Sequence, residues 1–272
     1  MPKTKRSRRD AIAAVGAGVG AAIGTVSGLG SSARAQTMSR TFVLVHGSWH
    51  GGWCWRRVAD RLRGGGHTVF APTLTGLGER SHLLRAGIDL TTHVTDVVNV
   101  MTWEGLSDVV LCGHSYGGMV IAGVAEQMTA AIRSIVFLDA FVPQNGEAAL
   151  DLTGPAVQEI TRAALRRGDL AVPPRPAEAF GVNAADRAWV DRMCVPQPIG
   201  AFTEKIALTG AVGRIARKSF IRAASYANPG FDRALAAAKS DPAWRTYEVA
   251  CGHDVMVDAP DRLTEILLEA AR

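Results

Sequence analysis

The chain has 272 residues, 47% of them hydrophobic, enough to bury one full core in a single domain. Its formal net charge of +5 comes from the N-terminus: residues 1–35 carry six basic side chains against Asp10, leaving 24 of each sign in the other 237. A neutral main body gives no electrostatic support to nucleic-acid binding, and the four cysteines (Cys54, Cys112, Cys194, Cys251) form no disulfide framework and read as free thiols.

Lys3 to Arg9 is a basic head containing Arg8-Arg9. Ala11 to Gly30 is a weakly apolar run of small residues, and Ala33-Arg34-Ala35 has the pattern of a cleavage site. Residues 1–35 therefore read as an export signal of twin-arginine type, with Sec export as the alternative, and imply a periplasmic or extracellular destination. Frequent glycine and few large apolar side chains argue against a stable membrane anchor. Gly16 to Gly20 lacks the preceding strand and the spacing of a dinucleotide loop.

Residues 36–272 read as one α/β domain. Thr41 to His46 is a buried-strand run stopped at Gly47, and apolar spacing predicts a helix over Trp53–Leu62. His67–Ala71 is a strand closed by Pro72, Thr91–Trp103 a helix, and Asp108–Cys112 a strand. Ile132–Leu138 is another strand, ending at Asp139. From about 144 to 218 polar helical pieces are broken by prolines, which suggests a cap insertion over a site. Regular alternation then resumes: strand Ser219–Ile221, helix Phe231–Ala238, strand Thr246–Ala250, and a terminal helix capped around Asp258. Such alternation implies a mostly parallel sheet covered by helices on both faces.

Between the third strand and its following helix stands Gly113-His114-Ser115-Tyr116-Gly117. This G-x-S-x-G pattern turns a strand sharply into a helix and presents the serine at the apex. A serine hydroxyl needs a base to take its proton, and His253, after the last strand, is the one histidine that follows Ser115 in the chain. An oxyanion formed on attack needs N–H donors; the Tyr116 amide supplies one, and the Ser48 amide, in the loop after the first strand, the other. His46 and His50 lie on that glycine-rich loop with no carboxylate nearby in sequence, so no metal site is expected. The acid is less defined. The strand ending near Ile221 is followed by no carboxylate before Asp232, so Asp139, at the tip of the preceding strand, is favoured, with Asp232, and then Asp254 or a dyad without an acid, as alternatives.

The segments Phe42 to Trp55, Gly113 to Gly118, and Gly252-His253-Asp254 with Pro260 resemble the α/β-hydrolase family, in particular its plant methylesterase and hydroxynitrile lyase branch with bacterial esterase relatives. The resemblance implies Ser115 as nucleophile, His253 as base and the Ser48 and Tyr116 amides as oxyanion hole, with no cofactor. Lyases of this branch carry threonine where this chain has Gly47 and lysine where it has Asp254. An aspartate would oppose cyanide release, which favours ester hydrolysis. The expectation is a serine esterase acting on small esters. Trp49, Trp53, Trp55, Trp103 and Tyr116 suggest an apolar or aromatic substrate. The alternatives are a hydroxynitrile lyase, an amide or carbamate hydrolase, and a non-catalytic ligand receptor.

Overall fold

The computed structural model describes residues 38–272, so the export-signal reading of residues 1–35 lies outside the described residues. Strand β1 (Thr41–Val45) leads through a 3₁₀ turn (Gly52–Trp55) into helix α1 (Arg56–Gly64). Strand β2 (Thr68–Phe70), helix α2 (Leu90–Trp103), strand β3 (Val109–His114), helix α3 (Gly117–Met128) and strand β4 (Ile132–Leu138) follow.

Between β4 and the next strand of the main sheet come short helical pieces: α4 (Ala149–Leu152), α5 (Pro155–Arg167), α6 (Arg187–Met193), α7 (Ile199–Thr203) and α8 (Ala211–Arg214). A small antiparallel pair, β5 (Ala171–Val172) with β6 (Gln197–Pro198), is threaded among them. The chain then forms β7 (Arg217–Ala223), α9 (Pro229–Ser240), β8 (Trp244–Val249), α10 (Val255–Asp258) and α11 (Pro260–Ala270). The expected terminal helix is α11, and the short α10 precedes it. Pro260 lacks an N–H and favours a first-turn position, so it starts a new helix, with Ala259 rather than Asp258 at the N-cap.

The main sheet has six strands in the order β2-β1-β3-β4-β7-β8, every neighbouring pair parallel. Its central strands β3 and β4 are apolar along nearly their whole length because both faces are covered, whereas the edge strand β8 carries Arg245, Thr246 and Glu248. Helices α1 and α11 pack against each other, and α2 packs on α3. Right-handed crossovers put these two pairs on opposite faces. The order in which strands are added to the sheet reverses between β1 and β3, so the crevice beyond their C-terminal ends is where a ligand site is expected in an open parallel sheet. No helix among the described residues is long and apolar enough to cross a membrane.

The first turn of α3 lies hard against the chain leaving β4: a Cβ on Gly118 would come within 2.1 Å of the Phe141 carbonyl oxygen. Gly118→Ala should therefore lower the unfolding free energy by at least about 2 kcal/mol. Urea titration checks this, and an unchanged midpoint would contradict the packing.

Candidate active site

Ser115 stands at the β3–α3 junction with φ +54°, a left-handed backbone that non-glycine residues adopt only when their surroundings enforce it. The enforcement is visible. Ser115 N–H donates to the Leu138 carbonyl at 3.2 Å, and the Ser115 carbonyl accepts from Gly118 N–H at 3.0 Å and Phe141 N–H at 3.2 Å. The flanking glycines are required by contact: a Cβ on Gly113 would sit 2.5 Å from Gly117 O, and one on Gly117 2.8 Å from Val45 O.

Asp139 follows β4, also at positive φ (+42°), and is fully buried. Its Oδ2 accepts from His253 Nδ1 at 2.6 Å. That bond places the proton on Nδ1 and leaves Nε2 as the ring nitrogen with a free lone pair. The imidazole stacks on the rings of Tyr226, at 4.6 Å, and Phe231, at 5.5 Å, and its backbone N–H donates to the Phe180 carbonyl at 2.8 Å. Ser115, His253 and Ser48 all border one cavity of ≈ 280 Å³. Asp232, the second candidate acid, is turned to Arg222 Nε at 2.9 Å and its side chain is 61% exposed.

Among the described residues, neither the Ser48 nor the Tyr116 amide is paired with an acceptor. Trp49 follows Ser48 at φ +66°, and its strained turn is held from the far side of the chain. Trp49 N–H donates to Gln197 Oε1 at 3.0 Å, its indole to the Val172 carbonyl at 3.1 Å, and its carbonyl accepts from Val195 N–H at 2.9 Å. Beneath the loop, the Tyr116 hydroxyl donates to His93 Nδ1 at 2.9 Å, and His93 Nε2–H donates to the Thr75 carbonyl.

The two loop histidines serve structure in opposite charge states. His46 accepts from Leu74 N–H and donates to the Gly47 carbonyl, as a neutral ring must, and burial, opposed by that bond and reinforced by His50 and His93, lowers its pKa to about 3. His50 donates from both nitrogens, to the Ser48 carbonyl at 2.7 Å and to Asp254 Oδ2 at 3.1 Å. Burial disfavours its charge, but the Asp254 carboxylate outweighs burial and raises the His50 pKa. Asp254 is fully buried; burial raises its pKa, but His50, with His114 and His253 behind it, holds it well below the usual carboxylate range. The expectation that Asp254 would face a leaving group is thus corrected: it ties the His253 loop to the Ser48 loop. Gly47 is equally constrained, since a Cβ there would lie 2.9 Å from both Ser115 Cβ and His114 Nδ1.

The aromatic residues expected at the mouth are corrected too. Of Trp49, Trp53, Trp55, Trp103 and Tyr116, only Trp49 borders the cavity. Trp53, Trp55 and Tyr116 are buried in the core, and Trp103 is 85% exposed elsewhere. The aromatic lining comes instead from Phe141, Phe180, Phe202, Tyr226 and Phe231, with Arg175 half-buried over the Phe180 ring. No signal in the sequence marks these phenylalanines, because their spacing is unrelated to any one helix or strand.

Residues 42–266 match the model of the alpha/beta hydrolase family, and the chain belongs to that family. It is 43% identical over 235 residues, 83% of this chain and 97% of the relative, to a carbendazim hydrolyzing esterase of Nocardioides sp. (strain SG-4G). Methylesterase 1 of Arabidopsis thaliana is 39% identical over 115 residues, 38% of this chain and 40% of the relative. Among solved structures, an extracellular α/β-hydrolase from a Paenibacillus species superposes with a TM-score of 0.75 at 26% identity, covering 86% of this chain and 99% of that one. These relatives place the protein among the carboxylic ester hydrolases of the family.

The His50–Asp254 pair has a signed pH dependence. His50's raised pKa makes its contribution complete below its unfolded value of ~6.5 and lost as pH rises through the folded value; Asp254's depressed pKa keeps its part intact over that range. His50→Gln should cost about 3–5 kcal/mol near pH 6, and the penalty should shrink toward pH 9. Urea unfolding of both proteins at the two pH values checks it; a penalty that grows with pH would contradict it.

Proposed function

We propose that the protein is a serine esterase in which Ser115 attacks the ester carbonyl. His253 takes the hydroxyl proton on Nε2, and Asp139 fixes the tautomer and stabilises the imidazolium that forms. The Ser48 and Tyr116 amides receive the developing oxyanion, His253 returns the proton to the departing alcohol, and water releases the acid from the acyl-enzyme. The observation that carries this reading is the 2.6 Å Asp139–His253 bond, made on a loop that shares its cavity with the strained Ser115. The paired partners required for each role come from the ends of β1, β3, β4 and β8, and the chemistry needs no cofactor.

The substrate reading is a small ester with a flat apolar or aromatic group, supported by the cavity size and its ring-lined wall. Relatedness to the Nocardioides enzyme makes carbendazim a compound to include among the substrates. The lyase alternative is weakened by the packing at Gly47, which leaves no room for a side chain.

Turnover of a chromogenic short-chain ester tests the reading. Ser115→Ala should abolish it to within background, and Asp139→Asn should lower kcat by about 10²- to 10⁴-fold while the protein stays folded. Near-wild-type turnover in Ser115→Ala would overturn the assignment.

The destination is read from Arg8-Arg9, the small-residue run and Ala33-Arg34-Ala35: export by a twin-arginine route, with cleavage after Ala35. Replacing both arginines by lysine should leave uncleaved precursor in the cytoplasm, as fractionation and N-terminal sequencing would report. Unimpaired processing would instead favour the Sec route.

A further inference from the structure

One buried cation is left unused by this chemistry. Arg222, the penultimate residue of β7, occupies the strand end after which no carboxylate occurs before Asp232. Its side chain is 4% exposed, and its Nη1 donates to Asp139 Oδ1 at 2.7 Å, on the oxygen opposite the one that holds His253. Ala223 N–H donates to the same Oδ1 at 3.1 Å. The guanidinium is itself immobilised: Nη1 also reaches the Ala223 carbonyl, Nη2 the Tyr226 carbonyl, and Nε Asp232 Oδ1. Phe231 lies under its plane, with the guanidinium carbon 5.9 Å from the ring centroid. A planar fork committed on every nitrogen is a rigid clamp, which a flexible ammonium cannot copy.

Resting on the hydrolase reading above, we propose that Arg222 is a positioning residue for catalysis: it locks the Asp139 carboxylate with Oδ2 aimed at His253 and offsets its charge. The clamp answers a problem that the site creates. An unopposed buried carboxylate 2.6 Å from an imidazole favours the protonated ring, which cannot accept the Ser115 proton. A permanent cation on the other oxygen, Arg222 Nη1 at 2.7 Å, offsets that bias. The remaining groups around these residues do not substitute for it. His253 faces Asp139 and the rings of His114, Tyr226, Phe180 and Phe231. His114 is neutral, because burial and then the proximity of His253 drive its pKa far down. Asp254, next in sequence, is turned to His50. Arg222 faces Asp139, Asp232 and Phe231, so among the described residues it is the one arginine or lysine paired with Asp139.

The test compares full pH profiles of kcat and KM for wild type, Arg222→Gln and Arg222→Lys on one chromogenic ester. Arg222→Gln should lose about 10- to 100-fold in kcat with KM held within a few fold, and its acid limb should move up by about one pH unit. Arg222→Lys keeps charge without the fork, so its acid limb should stay in place while kcat falls roughly tenfold. A folded Arg222→Gln protein with wild-type kcat, or with reduced kcat and an unmoved acid limb, overturns the proposal. If Arg222→Gln does not fold, Arg222→Lys decides: reduced kcat at unchanged KM supports the clamp, and wild-type kcat overturns it. Ser115→Ala runs alongside. Full turnover there sinks the parent hydrolase reading, whereas an inactive Ser115→Ala beside a wild-type-like Arg222→Gln sinks this inference alone.

Discussion

The fully buried Asp139 carboxylate is matched on both oxygens, and the structure is organised around those pairings. Taking such an ion out of water costs several kcal/mol even after relaxation. The partners that offset this cost arrive from three places: the imidazole on the loop after β8, the guanidinium of β7 and the Ala223 amide at its end. They can meet only because the parallel strands stop in step, with Leu138 opposite Ile221 and Ala223 opposite Val249. A one-residue slip in either pairing would turn the inward partners to the other face of the sheet. Sheet register and site chemistry are therefore a single constraint.

Backbone strain gathers in the same place. Among the described residues four non-glycine positions have positive φ, and three of them are Trp49, Ser115 and Asp139; the fourth, Asp108, precedes β3 at the opposite end. Each such residue costs on the order of 1–3 kcal/mol and persists only where the surroundings over-determine it. Here they do so with named bonds: Asp139 N–H to the Ile221 carbonyl at 2.6 Å, Ser115 to Leu138 and Phe141, and Trp49 to Val172, Val195 and Gln197. The reactive edge is thus rigid before any substrate arrives, which is what preorganised electrostatic stabilisation requires.

The frame of the sheet was legible in the residues because strands covered on both faces show as apolar runs; Ile132–Leu138 is observed with the bounds its composition suggests. The elbow was legible because its glycines are demanded by contact, and His253 because no other histidine follows Ser115. Asp139 could be inferred only by elimination, since its pairing with His253 spans 114 residues and leaves no local trace. The same reason hid Gln197, whose amide steadies Trp49 from 148 residues away, and the His50–Asp254 pair, separated by 204. The tryptophans misled because composition reports that large rings exist, not which of them reach a cavity. Phenylalanines scattered over a loop (Phe141), a 3₁₀ turn (Phe180) and two helices (Phe202 in α7, Phe231 in α9) supply the wall instead.

The stretch between β4 and β7 joins the rest of the molecule unevenly. Around Phe180 it is fastened to the base, through the carbonyl that receives His253 N–H, whereas Thr153 to Val157, at the start of α5, border the cavity without any such bond to the reacting groups. Mutational drift therefore has unequal freedom across one wall. Descendants of this sequence can exchange side chains near Pro155 and acquire new preferences for molecular shape while their bond-breaking apparatus stays as inherited. Change at Phe180 would alter both together, so diversification of diet in this lineage should leave its marks at the helix start rather than at the ring beside the imidazole.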